Sequence, residues 1–181
     1  MNNLMDIINS INDKEKNYWY KKSFAANKTL LFEGDIADKI YFIEKGAIRL
    51  WNNDDGKEIT FQFFFEGQVV SSYESFYLKN PSVFSIETIE ETDVLVLEKE
   101  KLDILLIDSP DLLKIMMNQL SERFIVYTEY FLSRIKESPE ERYLSLLEKN
   151  SELIKRVPAQ YIASFLGITP VSLSRIKNRI K

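Results

Sequence analysis

The sequence predicts an α+β fold: an N-terminal β unit, one long helix, and a C-terminal pair of short helices. Three observations carry this. Between about residues 29 and 97 the apolar residues fall in short segments rich in β-branched and aromatic side chains, separated by glycine turns. From Leu102 the apolar period becomes helical. The last 27 residues, Lys155 to Lys181, hold six basic side chains and no acidic one, in a chain of formal charge -4. The preceding residues, 1–154, therefore carry about -10, and one end is suited to a polyanion.

Taken in order, residues 4–20 read as a short helix, with Leu4, Ile7, Ile8 and Ile11 on one side and Tyr18, Trp19 and Tyr20 near its end. Strands are expected at Thr29 to Phe32, Ile40 to Ile43, Ala47 to Trp51, Ile59 to Phe65, Val83 to Thr88 and Val94 to Leu97. Asp55-Gly56 is a hairpin signal, because a two-residue reversal needs positive φ angles. Many short strands with regular turns imply a compact barrel or sandwich-like unit. Phe61, Phe63 and Phe65 would share one strand face, either as core or as a wall for stacking a ligand; core packing is the expectation.

Ser109-Pro110-Asp111 starts a long helix running to about Lys136. Along it Leu113, Met117, Leu120, Phe124, Tyr127 and Phe131 step by fours and threes, a heptad seam suited to a partner helix. The apolar side chains exceed what this chain offers as cover, so a homodimer is expected. Ser138-Pro139-Glu140-Glu141 then breaks the chain and opens a helix through Leu147. Division at this hinge gives residues 1–107 as a β domain, 108–137 as a dimerisation helix and 138–181 as a terminal domain.

In that terminal domain Pro158 suits a first helical position. Ile162, Ala163, Phe165 and Leu166 form an apolar stripe that stops at Gly167. Thr169 suits an N-cap and Pro170 a first residue, and Leu173, Ile176 and Ile180 recur at helical spacing. This is a helix-turn-helix layout, and a duplex major groove admits one such helix. Ser172 and Arg175 are the candidates for base contact, while Lys177, Arg179 and Lys181 suit phosphate. Thr169, Ser174 and Asn178 belong to the same DNA-facing set. A second reading has these helices dock a protein, with DNA irrelevant.

Cysteine and histidine are both absent, which removes disulfides, thiolate metal sites, the commonest general base and the best nucleophile. No enzyme, no metal site and no cofactor are expected. Glu87, Glu90, Glu91 and Asp93 cluster near a strand and read as solvated turn charges. The five glycines are scattered singly, so no phosphate-cradling loop exists. No apolar run approaches a membrane span and the N-terminus lacks a signal-peptide pattern, so a cytoplasmic protein without membrane partners is expected.

The order of these parts resembles the Crp/Fnr family of bacterial transcription regulators. LLFEGDIADKIYFIEKGAIRL, residues 30–50, is similar to that family's β-roll signature, with Gly34 and Gly46 at its turns; Gly67 matches the glycine that opens the next loop. ITPVSLSRIKNR resembles its recognition helix. The resemblance implies a cyclic-nucleotide-binding-like β-roll (jelly roll), a dimerisation helix, and a helix-turn-helix bound to double-stranded DNA at a near-palindromic site, with RNA polymerase as a further partner. It also implies an effector pocket at Ser71, Ser72, Tyr73, Ser82 and Val83. Nucleotide-binding members have Gly-Glu-Leu there and an Arg about ten residues on. Here no arginine stands between Arg49 and Arg123, so the pocket reads as degenerate, with an unknown small-molecule effector or none. Pro170 and Val171 replace base-reading residues of better-known members while Arg175 matches one, so the operator should differ. The chain stops at Lys181 without a wing hairpin, and binding should be modest and steeply salt dependent.

Overall fold

The computed structural model describes residues 18–180. These form two compact units: residues through Asn52 with Gln62–Asn118, and Asn53–Phe61 with the residues from Gln119 onward.

The strands and helices through residue 108 are β1 (Trp19–Phe24), β2 (Thr29–Leu31), β3 (Lys39–Lys45), β4 (Ile48–Asp54), β5 (Lys57–Phe64), β6 (Val69–Val70), α1 (Tyr73–Leu78), β7 (Ser85–Thr88), β8 (Thr92–Glu98) and α2 (Lys99–Asp108); all belong to the first unit except the end of β4 and the start of β5, which fall in Asn53–Phe61. The strands make two sheets, ordered β1-β8-β3-β6 and β2-β7-β4-β5. Alternation gives the first sheet two apolar faces. Trp19, Phe42, Leu95 and Leu97 join Phe76, Leu102, Leu105 and Leu112 in one core cluster. On the other face Tyr41, Ile43, Val94 and Val96 are buried, as are Ile48, Leu50 and Ile86 of the second sheet. Each such Ile or Leu contributes about 1.5–3 kcal/mol by leaving water. The edges of the first sheet are β1, where Lys21 Nζ meets Glu44 Oε1 at 2.9 Å, and the two-residue β6.

All six expected strands are present, within three residues at either end. The Asp55-Gly56 reversal has φ of 50° and 84°, with the Gly56 N–H donating to Asn53 Oδ1 at 2.9 Å. The expected helix over residues 4–20 is corrected at its end. Residues 4–17 lie outside the described residues, and Trp19 and Tyr20 are in β1, opposite Leu97 and Val96. Strand pairing and burial of Trp19 override the local helical pattern. Of the aromatic residues expected on one face, Phe63 is buried and Phe61 half-buried, while β5 ends at Phe64, itself buried, so that Phe65 lies beyond the strand. Strand β6 and helix α1 are additions the sequence did not signal.

Helix α3 (Pro110–Lys136) begins as expected, with Ser109 Oγ 3.4 Å from the Leu112 N–H. The second unit continues from it through α4 (Pro139–Lys149), α5 (Ser151–Arg156), α6 (Ala159–Leu166) and α7 (Pro170–Ile180). The break before α4 is a capping box: the Glu141 N–H donates to Ser138 Oγ, and the Ser138 N–H donates to Glu141 Oε2 at 2.7 Å. Those bonds hold the Glu141 carboxyl below its ordinary pKa. Tyr143, Leu153, Val157, Ile162, Ala163, Leu166, Leu173 and Ile176 make the core of this unit.

Candidate nucleic-acid interface and effector pocket

The α6–α7 turn is fixed by its own backbone. Gly167 takes φ 73°, its N–H donates to the Ser164 carbonyl, and the Ile168 N–H donates to the Ala163 carbonyl. Two guanidinium groups complete the end of α6. Arg142 Nη2 donates to the Leu166 carbonyl at 2.9 Å, and Arg134 donates to the Phe165 carbonyl, which also accepts from Tyr130 Oη at 3.1 Å. Cations suit a helix C-terminus, where unpaired carbonyls gather negative charge. On the far side of α6, Ser164 Oγ accepts from the Thr60 N–H at 2.9 Å and lies 3.0 Å from the Glu58 carbonyl. The helix that precedes the turn is therefore held at its end and on its flank.

Helix α7 turns Leu173 and Ile176 inward. Its outward stripe, at i, i+3, i+4 and i+7, is Val171, Ser174, Arg175 and Asn178, all exposed. Among the described residues Arg175 has no hydrogen-bonded or ion-paired partner. The other expected DNA-facing residues are more committed. Thr169 Oγ1 accepts the Ser172 N–H at 3.2 Å and lies 3.0 Å from Ser172 Oγ, so Ser172 sits beside the stripe rather than on it. Lys177 Nζ lies 6.0 Å from the Tyr143 ring centroid, and Arg179 Nη2 is 3.0 Å from Glu140 Oε2. Lys181 is outside the described residues. Val171, which the resemblance puts where better-known members have a base-reading residue, is 61 % exposed and continues the stripe of Ser174, Arg175 and Asn178.

Along α3, Leu113, Met117, Phe124, Tyr127 and Phe131 are exposed, Phe124 at 74 %, and Leu120 is half-buried. Ile125, Val126, Leu132 and Ile135 are exposed as well, which widens the apolar surface beyond the heptad seam.

The expected effector residues divide. Ser72 and Ser82 are buried with their Oγ atoms 2.8 Å apart, and Ser82 Oγ lies 2.7 Å from the Phe84 carbonyl. Ser71 Oγ donates to the Lys39 carbonyl at 2.9 Å. Tyr73 and Val83 are exposed, Tyr73 stacked on Tyr77 with ring centroids 6.0 Å apart. The three serine hydroxyls thus bond within the protein. A nearby pair corrects the reading of the acidic cluster as solvated. Glu87 is buried and faces Arg49, itself 1 % exposed, across β7 and β4; Arg49 Nη2 and Nε lie 2.7 and 2.9 Å from Glu87 Oε1. The Arg49 guanidinium also covers the Trp51 ring at 5.1 Å. Among the described residues no group of three acidic side chains could hold a metal, and no helix is long and apolar enough to cross a membrane.

Residues 21–109 match the cyclic nucleotide-binding domain family. The global nitrogen regulator of Nostoc sp. PCC 7120 is 32% identical over 117 residues, 63% of this chain and 52% of that protein, so the match spans about half the relative's length. Among solved structures, a CooA variant from Carboxydothermus hydrogenoformans superposes with a TM-score of 0.77 at 16% identity, covering 98% of this chain and 84% of its own. A protein from Eubacterium rectale, classed as a Crp/Fnr-family transcriptional regulator, gives 0.72 at 17% identity over 95% and 84%. Residues 21–109 thus match the cyclic nucleotide-binding domain family, and the chain shares the fold of the CooA variant and of the Eubacterium rectale protein.

Proposed function

We propose that the chain is a homodimeric DNA-binding transcription regulator that reads a near-palindromic site without requiring a cyclic nucleotide. In this reading residues 1–107 are the sensor domain, 108–137 the dimerisation helix and 138–181 the DNA-binding domain. The observation that carries it is the outward stripe of α7, with an uncommitted guanidinium at its centre. Arg175 is placed to donate two bonds to a guanine edge, Asn178 and Ser174 to reach neighbouring bases, and Val171 to touch a thymine methyl. Thr169 and Ser172 set the helix start, and Lys177 and Arg179 meet phosphate, Arg179 by exchanging Glu140 for the backbone. The exposed apolar side chains of α3 supply the two-fold contact, which fixes half-sites about 34 Å apart. At the expected effector position, Ser71, Ser72, Tyr73, Ser82 and Val83, the three serine hydroxyls bond within the protein, and this favours a degenerate effector site.

The test is selection of binding sites from random duplex DNA by the purified protein at two salt concentrations, with and without cyclic AMP. A two-fold symmetric motif, unchanged by cyclic AMP, is expected. Arg175→Ala should lose about 1–3 kcal/mol at one base pair per half-site and relax preference there. An unaltered preference in that variant removes Arg175 from base reading, and absence of any enriched motif rejects the proposal.

A further inference from the structure

Apart from the hydrogen-bonded serines and from α7, a cavity of about 250 Å³ lies within the first unit, lined from both sheets. Strand alternation explains its walls. Trp19 points into the helix-covered core, so Tyr20, Lys22 and Phe24 turn the other way, onto the cavity. Tyr20 and Tyr41 both stand opposite Val96 in the ladder, and the three form a row across β1, β8 and β3. Leu31 and Ile86 face them from the second sheet.

Three properties of this cavity point to a ligand. The first is a buried phenol. Tyr41 is 7 % exposed, and its hydroxyl lies 3.4 Å from the Leu30 carbonyl, a contact too long to use the donor well. Burial pushes the phenol up to about 12, so it remains a neutral O–H donor at physiological pH. The second is unmatched positive charge at the rim. Lys39 is neutralised by Asp38 at 2.7 and 2.8 Å, but Lys22 leans on the Phe24 ring at 4.9 Å, and neither it nor Lys28 has a carboxylate partner among the described residues. The third is size. A preformed apolar cavity of about 150 Å³ holds benzene, whereas drug-sized ligands fill about 300–1,000 Å³. One ring with a carboxylate and a small polar substituent lies between.

We propose that this cavity binds a small aromatic carboxylate, its ring between Phe24, Ile86 and Val96, its carboxylate at Lys22 and Lys28, and an acceptor on the far side of the ring at the Tyr41 hydroxyl. Both ends of the ligand are then read by groups the protein itself leaves under-used. The site is independent of the DNA reading, and its test contains no DNA.

The probes are 4-hydroxybenzoate, benzoate and inorganic phosphate, titrated by calorimetry into the full chain at low salt. Both acids should bind once per chain. Lys22→Ala/Lys28→Ala removes two exposed side chains and should weaken both acids about tenfold. Tyr41→Phe keeps the ring and should weaken 4-hydroxybenzoate about fivefold while leaving benzoate within about twofold. Circular dichroism melts establish that each variant is folded. No saturable binding of either acid up to about 10 mM, equal binding of phosphate, or affinities unmoved by the lysine double variant would each overturn the assignment.

Discussion

Arg49 and Glu87 allow a prediction whose size follows from geometry. Two donors of the guanidinium converge on one carboxylate oxygen at 2.7 and 2.9 Å, and the residues are 1 % and 8 % exposed. Each charge-assisted bond contributes about 1.5–3 kcal/mol relative to its loss, and stripping one partner from a buried pair costs about 3–5 kcal/mol because the remaining charge stays out of water. Glu87→Leu and Arg49→Met should therefore each destabilise the first unit by about 3–5 kcal/mol. The double variant removes both charges and leaves apolar volume, so it should lie between neutral and about 4 kcal/mol more stable than the parent. The coupling then amounts to at least about 6 kcal/mol. Urea unfolding followed by tryptophan fluorescence is the assay, since both tryptophans, Trp19 and Trp51, belong to the first unit. Single variants each within about 1 kcal/mol of the parent, or a double variant equal to their sum, would refute the reasoning.

Phe124→Glu places a charge at the most exposed aromatic of α3, and sedimentation should register a dimer dissociation constant at least about tenfold higher, with parental fluorescence. Gly167→Ala forces a side chain into φ 73° with its Cβ 2.8 Å from Arg134 Nη1, and a loss of about 1–2 kcal/mol should appear in hydrogen exchange of α6 and α7. Tyr41 binds its proton more tightly folded than unfolded, so its contribution is complete below pH about 10 and disappears as pH rises through about 12. That difference amounts to at most about 3 kcal/mol, and Tyr41→Phe should remove it from the alkaline unfolding curve.

Much of this architecture is legible in the sequence, and for identifiable reasons. Gly34, Gly46, Asp55-Gly56, Gly67 and Gly167 punctuate the chain, and all take positive φ, so turns were marked by residues that tolerate them. Capping chemistry located α3, α4 and α7 through Pro110, Ser138 and Thr169. Strand β1 was hidden because Trp19 and Tyr20 follow an apolar helical pattern, and only the pairing with Leu97 and Val96, distant in sequence, makes them extended. Glu87 was misread for a related reason. A carboxylate beside three other acids suggests a solvated turn, whereas its ladder partner Arg49 is 38 residues away. On α7 the sequence put Arg175 in the DNA-facing set and the structure leaves it exposed; the Thr169–Ser172 hydroxyl contact is set by cap geometry that no periodicity reveals.

The edges of the first sheet bear on how copies of this chain meet. A bare edge strand is a template on which another chain can zip itself, first as a pair and then as an open-ended stack. Here one edge is two residues long and the other carries consecutive lysines, Lys21 and Lys22, so an incoming strand meets either too few backbone groups or a cluster of cations. Strand addition at these edges is thereby disfavoured among the described residues, and the proposed two-fold pairing through α3 would meet little competition from fibre formation there.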